Sequence, residues 1–169
     1  MSILVTGGAG YIGSHTVLCL LERGYNVVVL DNLSNSSYES LRRVQAITQR
    51  DIVYYQGDIT DRIFLGKIFS ENTIEAVIHF AGLKSVSESI KYPTKYYENN
   101  VMGSIILLEE MMKHGIYKLI LVHRQPFTVN QSVSLLQKIA KQAVLLIPMV
   151  RQNLWLSRFY RIQPKRNRN

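Results

Sequence analysis

The stretch "TGGAGYIG" sets Gly8, Gly10 and Gly13 in a G-x-G-x-x-G spacing, directly after a short apolar run and ahead of a helical pattern. Three backbone demands go with that spacing: a tight turn, close approach of a pyrophosphate to the main chain, and close packing of a helix on a sheet. The helix that follows offers free N–H groups and a partial positive charge to phosphates. Alone the motif is weak evidence, because a plain strand-to-helix turn also uses glycine. Asp31 strengthens it. It ends the next apolar run, 18 residues after Gly13, near the separation of about 20 residues at which an acidic side chain bonds a ribose 2′-hydroxyl. A carboxylate there repels a 2′-phosphate and so favours NAD over NADP. A solvated turn aspartate within "LDNLSNSS" is the plainer alternative. Asp58 in "GDI" and Phe80, Ala81 and Gly82 in "FAG" close two further runs. Asp58 could accept from an adenine amino group, and the "FAG" backbone could pass beside a second ribose. A turn aspartate and a glycine loop are the competing readings of these two.

Residues that act together must be brought to one edge, and the pattern up to residue 121 shows how. Apolar runs "SILVT", "NVVVLD", "IVYYQGD", "AVIHFAG" and "KLILV" alternate with helical segments. These are "YIGSHTVLCLLERG", "SYESLRRVQAIT", "DRIFLGKIFSEN" and "TKYYENNVMGSIILLEEMMKHG". In the first helix Ile12, Val17, Leu20 and Leu21 share helical spacing and Gly24 is the stop. Ser37 or a neighbouring serine caps the second, Asp61 stands near the start of the third, and the fourth follows Pro93. "NVVVLD" is continuously apolar, as a strand covered on both faces is. Alternating strands and helices imply βαβ units. The fold class is therefore α/β, a doubly wound, Rossmann-like parallel sheet truncated after about five strands. Ligands of such sheets sit beyond the carboxyl ends of the strands.

Bulk composition narrows the function classes. The 169-residue chain carries 47% hydrophobic and 19% charged residues, as a globular domain with a real core does. "MSILVTGG" lacks the basic and apolar regions of a secretory leader. No uncharged apolar run reaches the roughly 18 residues of a membrane span, and the single Cys19 allows no disulfide framework. A cytoplasmic setting is expected. The net charge of +8 invites a nucleic-acid reading until it is divided: residues 1–121 hold 11 Lys/Arg against 12 Asp/Glu, whereas residues 122–169 hold nine and none. The last acid is Glu110. Two segments are expected, an incomplete dinucleotide-binding domain over 1–121 and a basic tail over 122–169. Neither nucleic acid nor membrane is expected as a partner.

Taken together, "TGGAGYIGSHT", "LDNLSNSS", "GDI", "VIHFAGLKSVSES" and "YYENNV" resemble the amino-terminal part of the UDP-glucose 4-epimerases, within the extended short-chain dehydrogenase/reductase superfamily. The resemblance runs from about Ile3 to about Leu121. A sugar-nucleotide dehydratase is the alternative within the superfamily, and "HFAGLK" argues against it. The resemblance implies a tightly held NAD that takes a hydride from C4 of a UDP-hexose and returns it to the other face. Glucose and galactose forms are thereby interconverted; N-acetylated sugars are a second possibility. It further implies that Tyr11 and Ile12 meet the pyrophosphate, with Gly7, Gly8, Gly10 and Gly13 in the cofactor-binding turn. Asp31, Asn32, Leu33, Ser34, Asn35 and Ser36 would surround the adenosine ribose, with Asp58 and Ile59 at the adenine. Phe80, Ala81, Gly82, Leu83 and Lys84 would line the nicotinamide side, with Asn99 near its ribose. A UDP-sugar partner and a homodimer follow by the same analogy. His15, on a helix face, His79, at a strand end, and His114, near a helix end, are read as neither catalysts nor metal ligands.

The pattern breaks after Val122. In the family a serine-rich "SSSATVYG" and a Tyr-x-x-x-Lys helix carry the chemistry, the tyrosine acting as base once a lysine lowers its pKa. Here the chain continues "HRQPFTVNQSVSLLQKIAK", and no Tyr-x-x-x-Lys occurs in the tail. No catalytic residue is assigned, and no turnover is expected. Read one base early, the codons of "HRQPFTVNQ" can give "SSATVYGEP", and those of "IPMVRQN" can give "NPYGTSK". Tyrosine would then stand at Met149 and lysine at Asn153. A frameshift near codon 122 is the leading explanation. The competing one is a genuine amphipathic helix, with Leu135, Leu136, Ile139, Ala143 and Leu146 on one side and Lys138 and Lys141 directed to an anionic surface. Lost cover on one sheet edge predicts a marginal, aggregation-prone protein.

Overall fold

The computed structural model describes residues 2–122, which belong to a compact unit spanning Met1–Gln125. The tail motifs lie outside the described residues. Five parallel strands, β1 (Ser2–Thr6), β2 (Asn26–Asp31), β3 (Val53–Gln56), β4 (Ile74–His79) and β5 (Leu119–Leu121), are arranged in the order β3-β2-β1-β4-β5. The chain winds outward from β1 to β3, then returns to the other side of β1 for β4 and β5. The order reverses between β1 and β4, which makes that crevice the switch point. Register brings the carboxyl ends level. Thr6 pairs with Leu30 and with His79, Asp31 with Gln56, and His79 with Leu121.

Side chains alternate across each strand, so the central strands feed two cores. Ile3, Val5, Val27 and Val29 pack with Val17 and Leu21 of α1 (Tyr11–Glu22) and Leu41 and Val44 of α2 (Glu39–Thr48). Leu4, Val28, Leu30 and Val77 pack on the opposite face. Their partners there are Leu65, Ile68 and Phe69 of α3 (Arg62–Glu71) and Leu107 and Met111 of α6 (Gly103–Lys113). Helices on both faces confirm the doubly wound class. Of the first helix's expected apolar positions, Val17 and Leu21 are buried, whereas Ile12 is exposed at the mouth of the crevice. α1 ends before Gly24, whose φ of +85° admits the return bond from the Tyr25 N–H to the Leu20 carbonyl.

Three local features depart from expectation. No side chain caps α2; Ser37 instead accepts from the Glu39 N–H at 3.3 Å, one residue into the helix. A short helix α4 (Val86–Lys91) occupies the segment after β4, where Ser85 accepts from the Glu88 N–H. The Ser-x-x-Glu spacing of "SVSE" is a capping signal in its own right. The long fourth helix is also interrupted. It comprises α5 (Pro93–Tyr97), a π-helical turn (Glu98–Met102) and α6. Glu110 on α6 is buried yet paired, accepting from Arg62 of α3 and from Lys113. No helix among the described residues is long and apolar enough to cross a membrane.

Candidate cofactor site

The crevice at the switch point opens into a cleft of about 310 Å³, within the size range of small-molecule sites. Its floor is the turn after β1. The positive φ falls on Gly7, at +70°, rather than on one of the three spaced glycines. A Cβ on Gly7 would lie 2.7 Å from the Ala81 nitrogen, so two backbone segments touch there. Gly8 packs on Val29, where an added Cβ would meet Cγ1 at 2.7 Å. A Cβ on Gly13 would collide with the Gly7 carbonyl and lie 2.8 Å from the Gly8 Cα, which explains how α1 starts so close to the turn. Gly10 differs from these: its Cβ would find only the Gly7 oxygen, at 3.4 Å. It lines the cleft with Gly7, Tyr11, Ile12 and Gly13. No side chain caps α1, so its first-turn N–H groups remain available to an anion in the cleft.

Asp31 joins this turn to the loop after β2. Its buried carboxylate accepts from the Ala9 N–H at 2.9 Å on Oδ2, and from the Leu33 N–H at 2.9 Å and the Ser36 hydroxyl at 2.8 Å on Oδ1. Two acceptor positions per oxygen leave Oδ2 one position for a ligand hydroxyl. The Leu33 backbone takes a left-handed φ of 57° to close this turn, and its side chain packs on the core. Asn32, Ser34 and Asn35 line the cleft beside Asp31.

Asp58 stands behind that wall. It accepts from the Asn32 amide at 2.8 Å, and from the Thr60 N–H and hydroxyl at 2.9 and 2.7 Å. Burial pushes its pKa up, but these three bonds outweigh burial and hold it below the ordinary carboxylate value. Of the expected site residues, Gly8, Leu33, Ser36 and Asp58 support the cleft from outside its lining; the other sixteen line it. Leu30 and Gly57 also line it. Their only signal was adjacency to the aspartates that end β2 and follow β3.

The far wall follows β4. Phe80, Ala81, Gly82, Leu83 and Lys84 line it, and the Phe80 N–H donates to the Thr6 carbonyl at 2.8 Å. The π-helical turn turns two asparagines toward this segment. The Asn99 amide donates to the Ala81 carbonyl at 3.3 Å and to Asn100 Oδ1 at 2.9 Å. Asn100 grips Leu83 at both backbone groups, accepting its N–H at 2.8 Å and donating to its carbonyl at 2.9 Å. Sequence reasoning singled out Asn99 and passed over its neighbour in "ENN". Among the described residues no group of His, Cys, Asp and Glu is placed to hold a metal.

Residues 4–125 match the family described as GDP-mannose 4,6 dehydratase. The chain belongs to that family. Within the GDP-mannose 4,6 dehydratase family match, the curated relatives carry the epimerase name, in line with the "HFAGLK" strand end. The chain is 59% identical over 120 residues to UDP-glucose 4-epimerase of Bacillus subtilis, which covers 71% of this chain and 35% of that protein. It is 66% identical over 120 residues to UDP-glucose 4-epimerase of Yersinia enterocolitica, covering 71% and 36%. It thus spans about a third of the length of the curated relatives it matches. Among solved structures it is similar to UDP-glucose 4-epimerase from Bifidobacterium longum in complex with NAD+ and UDP. That match has a TM-score of 0.79 and 36% identity, covering 88% of this chain and 50% of the other. The expected likeness to the amino-terminal part of the epimerases therefore holds.

Proposed function

We propose that residues 1–121 are the NAD-binding part of a UDP-hexose 4-epimerase, and that this chain binds NAD without turning over a UDP-sugar. The carrying observation is the Asp31 carboxylate, bonded to Ala9 inside the glycine turn with one acceptor position of Oδ2 left over. That geometry suits a ribose hydroxyl and opposes a 2′-phosphate. Gly10 leaves room for a pyrophosphate, because where its Cβ would project the Gly7 carbonyl oxygen, at 3.4 Å, is the sole neighbour. When bound, NAD supplies a hydride acceptor; the residues of this chain bind and orient it.

The Tyr11, Ile12 and Gly13 N–H groups would take the pyrophosphate. Asn32, Ser34 and Asn35 would flank the adenosine ribose, with Ile59 at the adenine. Leu83, Lys84 and Asn99 would face the nicotinamide half. None of these groups is a base suited to the sugar O4 proton, and the tail carries neither the serine segment nor the Tyr-x-x-x-Lys pair. The natural setting is cytoplasmic, and a homodimer is the family's expected assembly. The identity of the sugar, glucose/galactose or N-acetylated, is set by residues beyond this chain.

Calorimetry with NAD and NADP tests the binding half: weak but measurable NAD binding and none for NADP are expected. Equal affinities would sink the assignment of Asp31. A UDP-galactose turnover assay tests the inactive half, with no turnover expected. The coding DNA around codon 122 tests the cause. The frameshift reading fails if the shifted frame does not encode "SSATVYG" and "YGTSK". Co-purification with an intact epimerase subunit would instead favour a non-catalytic module.

A further inference from the structure

His79 ends β4 with its ring buried, and it plays no part in the binding scheme above. Its Nδ1 lies 2.6 Å from the Thr6 hydroxyl on β1, and its Nε2 lies 3.2 Å from the Ser104 hydroxyl on α6. Ser104 Oγ is also 2.7 Å from the Asn100 carbonyl. A carbonyl only accepts, so the Ser104 proton goes to Asn100. Ser104 must then accept from His79 Nε2–H, and Thr6 must donate to Nδ1. This is the one assignment that leaves every buried hydroxyl proton with an acceptor, in keeping with the absence of unsatisfied buried side-chain atoms among the described residues.

The chain of bonds continues. Asn100, anchored through its carbonyl by Ser104, grips both backbone groups of Leu83 with its side chain. Its Oδ1 also holds the amide of Asn99, which reaches the Ala81 carbonyl. The route therefore leads from the sheet, through an imidazole of fixed tautomer, to the rim of the cleft. We infer that His79 is a positioning residue: held between Thr6 and Ser104, it fixes the Ala81–Leu83 rim through Asn100 and so orders the nicotinamide half of the cleft before a dinucleotide arrives. This rests on the NAD reading for its functional consequence, but the wiring itself does not.

Only a neutral ring can serve. A second proton on Nδ1 would reverse the Thr6 bond and leave a fully buried hydroxyl proton facing a cation. Thr6 and Ser104, from β1 and α6, are uncharged, and Lys84 on the segment after β4 is the charged group whose field reaches the ring. Burial first, and then Lys84, depress the His79 pKa to about 4. The wiring is accordingly intact from neutral pH down to about pH 5.

Two readouts test the inference on the full chain. Hydrogen exchange of unliganded protein reads the Leu83 amide, whose N–H is held by Asn100. His79→Leu, and the milder Ser104→Ala, are expected to speed that amide about tenfold, the equivalent of one net hydrogen bond. Val44→Ala, in the opposite core, should move it only in step with global exchange. Calorimetry with ADP and with NAD then separates the two halves of the cleft. Ser104→Ala should weaken NAD about tenfold and leave ADP unchanged, because only NAD reaches the rim. Unchanged exchange at Leu83 in both variants overturns the wiring whether or not NAD binds. Equal weakening of ADP and NAD overturns the positioning role and leaves a general structural one. If wild-type protein binds no NAD, the NAD reading fails while the exchange result still decides the relay.

Discussion

Gly10 and Gly13 lie three residues apart in one motif, yet the structure gives them opposite tolerances. A Cβ on Gly13 has nowhere to go between the Gly7 carbonyl and Gly8, whereas one on Gly10 meets a single oxygen at contact distance. Gly13→Ala is expected to destabilise the fold by about 2 kcal/mol through overpacking. Gly10→Ala should leave the unfolding free energy within about 0.5 kcal/mol while weakening NAD about tenfold by occupying the pyrophosphate path. Urea titration and calorimetry on the two variants check both halves. Asp31→Ala has a different signature. It strips the buried Ala9 N–H and the part-buried Leu33 N–H of their acceptor, at a cost of about 1–3 kcal/mol for the buried group left without a partner. Stability and NAD affinity should therefore fall together. The motif identified Asp31 but not its bond to Ala9, because a bond to a turn nine residues into the chain exists only once β1 and β2 lie side by side.

At the scale of elements, β4 carries the most legible pH signal. Unfolded, the His79 ring titrates near its ordinary value of about 6.5; folded, it titrates at about 4. The unfolded chain thus binds more protons between these values, so stability rises with pH there. In the acid direction, about 3 kcal/mol is lost as pH falls from 6.5 to 4, and this contribution changes no further below 4. Thermal melts between pH 8 and 4 should show the loss, and His79→Gln should flatten it. The elements themselves were legible to different degrees. The five strands and α1 to α3 announced themselves by apolar runs, by Gly24 and by Asp61, which accepts from the Phe64 N–H as an N-cap. The π-helical turn did not. "TKYYENNVMGS" keeps helical composition throughout, and the extra residue per turn is set by tertiary bonds from Asn99 and Asn100 to the segment after β4. α4 was missed for a nearer reason: its six residues are too short to show an apolar period.

For the whole molecule, the decisive asymmetry is between a body with balanced charge and a tail with nine Lys/Arg and no acid. Among the described residues β5 pairs only with β4, and Ile120 and Leu121 are 58% and 50% exposed. An edge strand that exposes apolar side chains is a template for pairing with other chains. Leu121→Lys is therefore expected to raise the concentration at which light scattering appears, with little change in the melting midpoint. The frameshift reading makes a stronger demand on the same region. One nucleotide inserted at codon 122 should replace "HRQPFTVNQ" with "SSATVYGEP" and "IPMVRQN" with "NPYGTSK", supplying the serine, tyrosine and lysine that the cleft lacks. The relatives are nearly three times as long as the matched segment, so the edited gene should also yield a longer chain. Its product should convert UDP-galactose to UDP-glucose with NAD held through purification, while the unedited chain shows no turnover. If the edited gene gives an inactive protein of unchanged solubility, the basic tail is a segment in its own right. Its acid-free composition would then need a partner to explain it.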